Sequence, residues 1–598
     1  MSANTPLNNL YADPNVAAIN IKSFGGIALQ NASDAVNHAV AQITNANKNP
    51  TAQGAIYFPP HTYTIKTSCT IPAGVRVVME KGAVFSVDSG KTLTIAGPLD
   101  APLSQVFSGS GTVSLTGPIE YILPQWWGAV GDGDTNCTTA IQAAITAAAG
   151  QSWGSGTVTR GATVYFAPGQ YKTTATLSLD NCRGVRLLGA NWTYGSGFWG
   201  ESTIKGTSTT LSLIDVGTTN NTQITIEKLT LAGSTSSPGT SSKDCHAITG
   251  TDCDAIRLID LNIHGWGGSA VKLLSCFETY FEHVQATGCM FAYGSVTSNT
   301  GVIHLTGTEH TFFYCNINGP FGDGVAGQYT SGYVAGIFVD GSPVQGIFTT
   351  AAYCEVGWHF GTSVGTGRSS LYQCRADFNQ GHGFWVEGAD VGFTRCVAYT
   401  CGLAADATYS GFNTVKGASQ FVIRNDFSNC IVDSASAGYL GNTNRMLYGF
   451  TDTNTSAGNT TILHNRYDAL CRIGSNMAAA ARVFNFTGAI VPAWDGLRYR
   501  QALTGSTATT TFDGEEGNLW VLTCASGQAT EVNAENLVAG QEYTLYIIQH
   551  ATPGTVTLAS EFTKVQPFIS PAASKHLSCR FYSDGTSLYQ VGGWSGDT

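Results

Sequence analysis

Between residues 315 and 430 two short phrases alternate, and this repeat limits the possible folds more than any other feature of the chain. The first phrase closes an apolar or aromatic run on a cysteine: Phe-Phe-Tyr-Cys315, Ala-Ala-Tyr-Cys354, Leu-Tyr-Gln-Cys374, Phe-Thr-Arg-Cys396 and Phe-Ser-Asn-Cys430. The second is a glycine followed by a short strand. It recurs as Gly336-Ile-Phe-Val-Asp340, Gly357-Trp-His-Phe-Gly361, Gly383-Phe-Trp-Val-Glu387, Gly411-Phe-Asn-Thr-Val415 and Gly438-Tyr-Leu-Gly441. Insertions of variable length separate the phrases. A chain that repeats one structural phrase in this way stacks its copies as coils, each burying the apolar side of the next. The expected fold is all-β, a right-handed parallel β-helix.

Composition fits that expectation and narrows the function. The chain has 71 glycines and only 12% charged residues, with 43% hydrophobic residues, which suits tight turns around a buried core and excludes a disordered chain. A net charge of −11 without a basic cluster argues against nucleic acid. It suits a neutral or aminated sugar polymer better than a strongly anionic one. The sixteen cysteines lack a Cys-x-x-Cys pair, so no metal site is expected, and no cofactor either. The phrase-ending cysteines read as reduced thiols stacked in the core rather than as a disulfide framework. Met1-Ser-Ala-Asn-Thr-Pro6 has neither the basic nor the apolar region of a secretory signal. No run of about 18 apolar residues predicts membrane insertion.

Four regions are expected in order. Residues 1–120 hold a polar leader and a small β module with a helix over 34–46. Residues 121–455 hold the main β-helix, 456–504 its end and a connection, and 505–598 a C-terminal antiparallel β-sandwich. One unit occurs twice. Helical spacing at Ala35–Ile43 leads into Gly54–Tyr63, and Thr138–Ala148 leads into Gly161–Tyr171, each with a strand, a proline turn and a strand. Both helices, 34–46 and 138–149, read as caps that hide the apolar end of a solenoid. Thr138 or Thr139 is the expected N-cap of the second.

Trp126-Trp-Gly-Ala-Val-Gly-Asp-Gly-Asp-Thr135, the helix after it and Gly161–Tyr171 resemble the opening signature of the pectate-lyase-like β-helix superfamily. The Trp-Trp-Gly-Ala variant is similar to that of bacteriophage tailspike depolymerases. The coil pattern carries the resemblance to about residue 450. It implies a homotrimer on a virion tail or baseplate, made in the host cytoplasm without a signal peptide. It also implies action outside the cell on a bacterial surface polysaccharide, capsule or O-antigen. Gly131-Asp-Gly-Asp134 reads as a turn, since the remaining ligands of a calcium loop are missing. Asn536-Leu537, Gly540, Tyr543 and Ser583-Asp-Gly-Thr586 resemble tailspike C-terminal sandwiches, which implies trimerisation or accessory sugar binding.

The phrases also predict which residues face out. With Cys354, Cys374 and Cys396 in one inward column, Glu355, Arg375, Asp377 and Tyr399 face out. Glu355 and Asp377 then become diagonal neighbours roughly 8 Å apart at Cα. Side chains can bring such carboxyls into the range of about 5 to 9.5 Å used by glycosidases. Arg375 between them would hold one ionised. With Ile337, Trp358, Phe384 and Phe412 inward, the outward set is Phe338, His359, Trp385 and Asn413. Two residues on come Asp340, Gly361, Glu387 and Val415. Asp340 and Glu387 lie about 9.6 Å apart, two coil spacings, with Gly361 leaving a gap for substrate. Trp385, His359 and Phe338 would offer aromatic faces to sugar rings.

Any one of these acids alone reads more simply as a solvated surface residue. Their combination with outward aromatics marks the patch. The leading expectation is an endo-glycosidase with a carboxylate pair drawn from Glu355, Asp377, Asp340 and Glu387, and with Trp385, His359, Phe338, Arg375 and Tyr399 as substrate contacts. Two alternatives stay open: a lyase using Tyr399 and Arg375 on a uronate, and a spike that grips the polymer without cutting it.

Overall fold

The computed structural model describes residues 17–24, 31–46, 54–151, 161–192, 201–218, 223–234, 242–290, 300–319, 334–341, 343–361, 369–387, 391–403, 409–415, 425–433, 448–452, 460–467, 473–477, 482–487, 500–505, 509–514, 519–537, 539–563 and 570–596. The phrase at 438–441 lies outside them. Two compact units divide the chain. One comprises Met1–Phe421, Asp433–Asn454 and Leu470–Asn476; the other comprises Val422–Val432, Thr455–Ala469 and Met477–Thr598.

The first unit opens on a small β-helix. Alternating residues build three parallel sheets, such as His61–Ile65 on Ala83–Val87 on Phe107–Gly109. Phe58, Tyr63 and Phe85 meet in its core, with Phe58 and Phe85 rings 4.7 Å apart. Helix Ala32–Ala46 buries Ala35, Val36, Ala39 and Ile43. Helix Thr138–Ala149 opens the main β-helix and buries Ile141, Ala144 and Ile145. Its N-terminus corrects one expectation, because neither Thr138 nor Thr139 is the cap. Asn136 Oδ1 accepts from the Thr138 backbone N–H (3.1 Å) and from its hydroxyl (2.7 Å).

The main β-helix has three parallel faces, and the expected right-handed parallel β-helix is the observed architecture. The first face stacks residues 300–307 under Val334–Gly341, Val356–Phe360, Phe384–Val386 and Ser410–Thr414. The second stacks residues 310–313 under Val344–Ile347, Ser369–Tyr372 and Val391–Thr394. The third stacks Asn316–Asn318, Thr350–Ala352, Arg375–Asp377 and Val397–Tyr399. Ile337, Trp358, Phe384 and Phe412 share one buried inward column, as the phrases predict. Glycine is required before Trp358: a Cβ on Gly357 would lie 2.6 Å from Gly383 O and 2.7 Å from Ala376 Cβ.

Each corner from the second face to the third is a single residue in the left-handed region. In successive coils it is Tyr314 (φ 51°), Phe348 (50°), Gln373 (50°) and Arg395 (54°). A non-glycine residue there costs about 1–2 kcal/mol. The next residue points inward and offsets part of that cost. Cys315 Sγ, Thr349 Oγ1, Cys374 Sγ and Cys396 Sγ each donate to the carbonyl two residues back, at 3.5, 3.1, 3.7 and 3.7 Å.

This corner corrects the sequence alignment of the cysteines. The member of the column between Cys315 and Cys374 is Thr349, not Cys354. Cys354 follows a different corner, after Tyr353 (φ 56°), where its column partners are Asn379 and Cys401 behind Phe378 (φ 53°) and Thr400 (φ 49°). All fifteen described cysteines are buried, and none of them is in a disulfide.

The second unit corrects the expected antiparallel sandwich. Arg500–Gly505, Leu519–Cys524 and Glu542–Ile548 pair in parallel in one sheet. Thr509–Asp513, Thr530–Glu535 and Val556–Leu558 pair in parallel in another. From Arg500 to Thr563 the chain crosses between sheets after every strand, so the turn residues at 525–529 and 549–555 form arcs rather than hairpins. Among the described residues of this unit, antiparallel pairing occurs where Glu542–Ile548 pairs His576–Ser583 and this pairs Leu588–Gly596. Trp520, stacked 4.6 Å from Tyr543, centres a core shared by both sheets.

Candidate functional site

The outward column of the first face runs Lys272, His304, Phe338, His359, Trp385 and Asn413 in register. Its rings pack on one another. His304 meets Phe338 edge-on at 4.9 Å, Phe338 meets His359 at 5.1 Å, and His359 stacks on Trp385 at 4.6 Å with an interplanar angle of 4°. Facing is therefore as expected, but exposure is not. His359 is 1% and Phe338 5% exposed, because rings one coil spacing apart shield each other. Phe338 joins Ala335 and Val356 in a small apolar cluster of its own, with Trp385 packed on it. In this single chain Phe338 and His359 are buried supports, and only the partly buried Trp385 retains an accessible edge.

Two residues on, Asp340 and Glu387 share one column, two coils apart. Thr306, Asp340, Gly361 and Glu387 follow one another on adjacent coils. The expected gap at Gly361 is filled from within the chain. A Cβ there would lie 2.6 Å from Asp340 Oδ1, so the Asp340 carboxylate leans over the glycine toward the coil of Glu387. Glu387 Oε2 lies 3.0 Å from His359 Nε2, and the Glu387 side chain is 20% exposed. His359 Nδ1 is buried and has no hydrogen-bond partner among the described residues.

Glu355 and Asp377 do not form the expected pair. Asp377 lies on the third face in register with Ala352 and Tyr399, whereas Glu355 lies beyond the Tyr353 corner, at the start of the first face. The error follows from placing Cys354 in the Cys374 column. Arg375 Nε donates to Asp377 Oδ2 at 3.0 Å. Burial still raises the Asp377 pKa against the lowering effect of that guanidinium. Tyr399 stands opposite Asp377 on the next coil. Glu355 accepts from the Val334 N–H at 3.2 Å, and burial pushes its pKa up to about 7 against that bond.

A second concavity escaped the sequence reading. On the second face a groove of about 680 Å³ is lined by Arg257, Glu278, Tyr280, Glu282, Glu309 and Gln345, among others. Glu278 (φ 50°) and Glu309 (φ 64°) are both left-handed corner residues, followed by Thr279 and His310, which pair in register. The available signal was the alignment of Glu278-Thr-Tyr-Phe-Glu-His283 with Glu309-His-Thr-Phe-Phe-Tyr314, one coil later. Isolated glutamates on a solvated strand did not suggest it.

Residues 126–304 match the family model described as rhamnogalacturonase A/epimerase, pectate lyase-like. This bears out the resemblance to the pectate-lyase-like superfamily carried by Trp126–Thr135. No curated protein matches the sequence. Among solved structures, the chain is similar to the A-module of mannuronan C-5 epimerase from Azotobacter vinelandii, with 14% identity and a TM-score of 0.37, covering 61% of this chain and 99% of that one. It is similar to ORF18 of Geobacillus virus E2, with 12% identity and a TM-score of 0.26, covering 80% and 76%. It is also similar to tailspike protein 2 of an Escherichia coli O157:H7 bacteriophage, with 10% identity and a TM-score of 0.28, covering 59% and 43%. At such scores these likenesses carry no argument about substrate.

Proposed function

We propose that this chain is a phage tailspike that binds and cuts a bacterial surface polysaccharide, capsule or O-antigen, as an endo-glycosidase. The observation that carries the reading is the arrangement of Asp340 and Glu387 across Gly361, with Glu387 held by the buried His359. The sequence resemblance at Trp126–Thr135 supports the tailspike assignment.

Two coil spacings put the acids about 9.6 Å apart at Cα, and the lean of Asp340 shortens the gap between carboxyls toward the inverting range of about 6.5–9.5 Å. In this mechanism Glu387 takes a proton from water as the water oxygen bonds to the anomeric carbon. Asp340 gives its proton to the leaving glycosidic oxygen as the old bond breaks. His359, donating from Nε2, fixes the direction of the Glu387 side chain. Trp385 supplies the apolar edge for a sugar ring.

A lyase is the second reading, favoured by Tyr399 standing opposite the Arg375–Asp377 pair on the third face. Purified protein incubated with host capsule separates the readings. New reducing ends without an unsaturated uronate support hydrolysis, uronate absorbance supports elimination, and neither product at high protein load leaves a spike that only binds. The homotrimer on a virion tail follows from the same resemblance, and a sedimentation mass of one chain would remove it.

A further inference from the structure

We infer that the groove on the second face is a separate oligosaccharide-binding site that takes neutral or amino sugars. The inference rests on the polysaccharide reading above but not on its acids.

The groove runs along the coil axis. Arg257, Tyr280, Thr311 and Gln345 form its outward column in register, so a chain lying along the axis meets polar side chains once per coil. Glu278 and Glu309 stand at one rim. Burial, with the Glu282 carboxylate nearby, raises the Tyr280 phenol pKa. Sugar hydroxyls need this mixture of fixed acceptors and donors.

His310 provides an independent pointer to a ligand. The residue is among those lining the groove and its ring is 0% exposed beneath it; Nδ1 lies 2.7 Å from Thr279 Oγ1, while Nε2 has no hydrogen-bond partner among the described residues. A buried polar atom without a partner costs free energy that a bound hydroxyl or water would recover.

The neighbouring corner is aromatic and wet. Tyr314 is 48% and Phe348 and Tyr372 are each 36% exposed. Tyr314 stacks on Phe348 at 4.7 Å, and Phe348 meets Tyr372 at 6.0 Å. These rings stand on coils that overlap those of the groove and leave exposed apolar edges to solvent. Polar floor on one side and aromatic ridge on the other is the chemistry of a sugar chain, whose rings have hydroxyl edges and C–H faces.

Charge decides the class. Glu278, Glu282 and Glu309 face the groove against one cation, Arg257, so a polyuronate would be repelled. Among the described residues no group of three His, Cys, Asp or Glu could hold a metal ion, so these acids are not a cation cage.

The test is titration of the full chain with hexamers of glucosamine, N-acetylglucosamine and galacturonate, followed by calorimetry. The first two are expected to bind saturably, and galacturonate at least tenfold more weakly. Glu309→Gln and the surface pair Tyr314→Ala/Phe348→Ala are each expected to weaken binding at least tenfold, with the circular dichroism spectrum unchanged. Binding of none of the hexamers, equal binding of galacturonate, or variants that leave affinity unchanged would overturn the site. Unchanged affinity with a fall in sedimentation mass would assign the ridge to contact between copies instead. Failure of the cutting reaction is read separately, from reducing ends, because hexamer binding reports on the groove alone.

Discussion

His359 Nε2 lies 3.0 Å from Glu387 Oε2, joining two adjacent coils, and the imidazole is fully enclosed between Phe338 and Trp385. A ring stacked on Trp385 and packed edge-on by Phe338 cannot swing away, so the carboxylate it holds has one direction. The column that buries the aromatics is therefore what aims the acid.

If the carboxylates perform the chemistry, Glu387→Gln and Asp340→Asn should each lower the rate of reducing-end release by about 10²–10⁴-fold. Polymer binding should survive, since both changes are isosteric. Rates near wild type in both variants would move catalysis elsewhere on the surface.

Gly361→Ala tests the lean of Asp340. The added Cβ would meet the Asp340 carboxylate at 2.6 Å, and a side-chain end can move aside where a backbone could not. The fold should hold, with a melting temperature near wild type, while cutting falls at least tenfold. A variant of unchanged rate would show that the acid does not act from over the glycine.

Glu355 should make the protein less stable as pH rises. Its folded pKa is about 7, above the ordinary value of 4.5. The folded state thus keeps a proton that the unfolded chain has lost, and stability falls with increasing pH between those two values. Glu355→Gln removes the effect. Its melting temperature relative to wild type should be flat below pH 4.5 and rise until about pH 7. A pH-independent difference would contradict the assignment.

The corner column predicts which cysteine changes are tolerated. Thr349 already occupies a position equivalent to Cys374, its hydroxyl donating to the Ile347 carbonyl as the Cys374 thiol does to that of Tyr372. Cys374→Thr should stay within about 1 kcal/mol of wild type. Cys374→Leu, overfilling the same corner, should lose about 1–3 kcal/mol. Denaturant melts followed by far-UV circular dichroism measure both. A thiol reagent should leave the described cysteines unmodified until the protein unfolds, because all are buried.

Much of the β-helix was legible because its signal is local. Alternation within Gly336–Asp340 and Gly383–Glu387 already separates Ile337 and Phe384 from Phe338 and Trp385, and the structure keeps that division. The duplicated helix-and-strand unit likewise announced both helices. Strand polarity in the second unit was not legible. Asp-Gly and Pro-Gly mark a change of direction, but whether the chain returns to the same sheet or crosses to a facing one depends on distant strands.

The sequence by itself determined that coils stack and which side of each strand is buried, since a period of two residues is read within one strand. Tertiary structure alone decided which residues of different coils meet. Thr349 rather than Cys354 completes the corner column, Glu355 and Asp377 part around a corner, and Glu278 and Glu309 converge on one groove. The physical reason is that register between coils is set by backbone hydrogen bonding and by one left-handed residue at each corner. Loops of unequal length between the phrases carry no mark of that register.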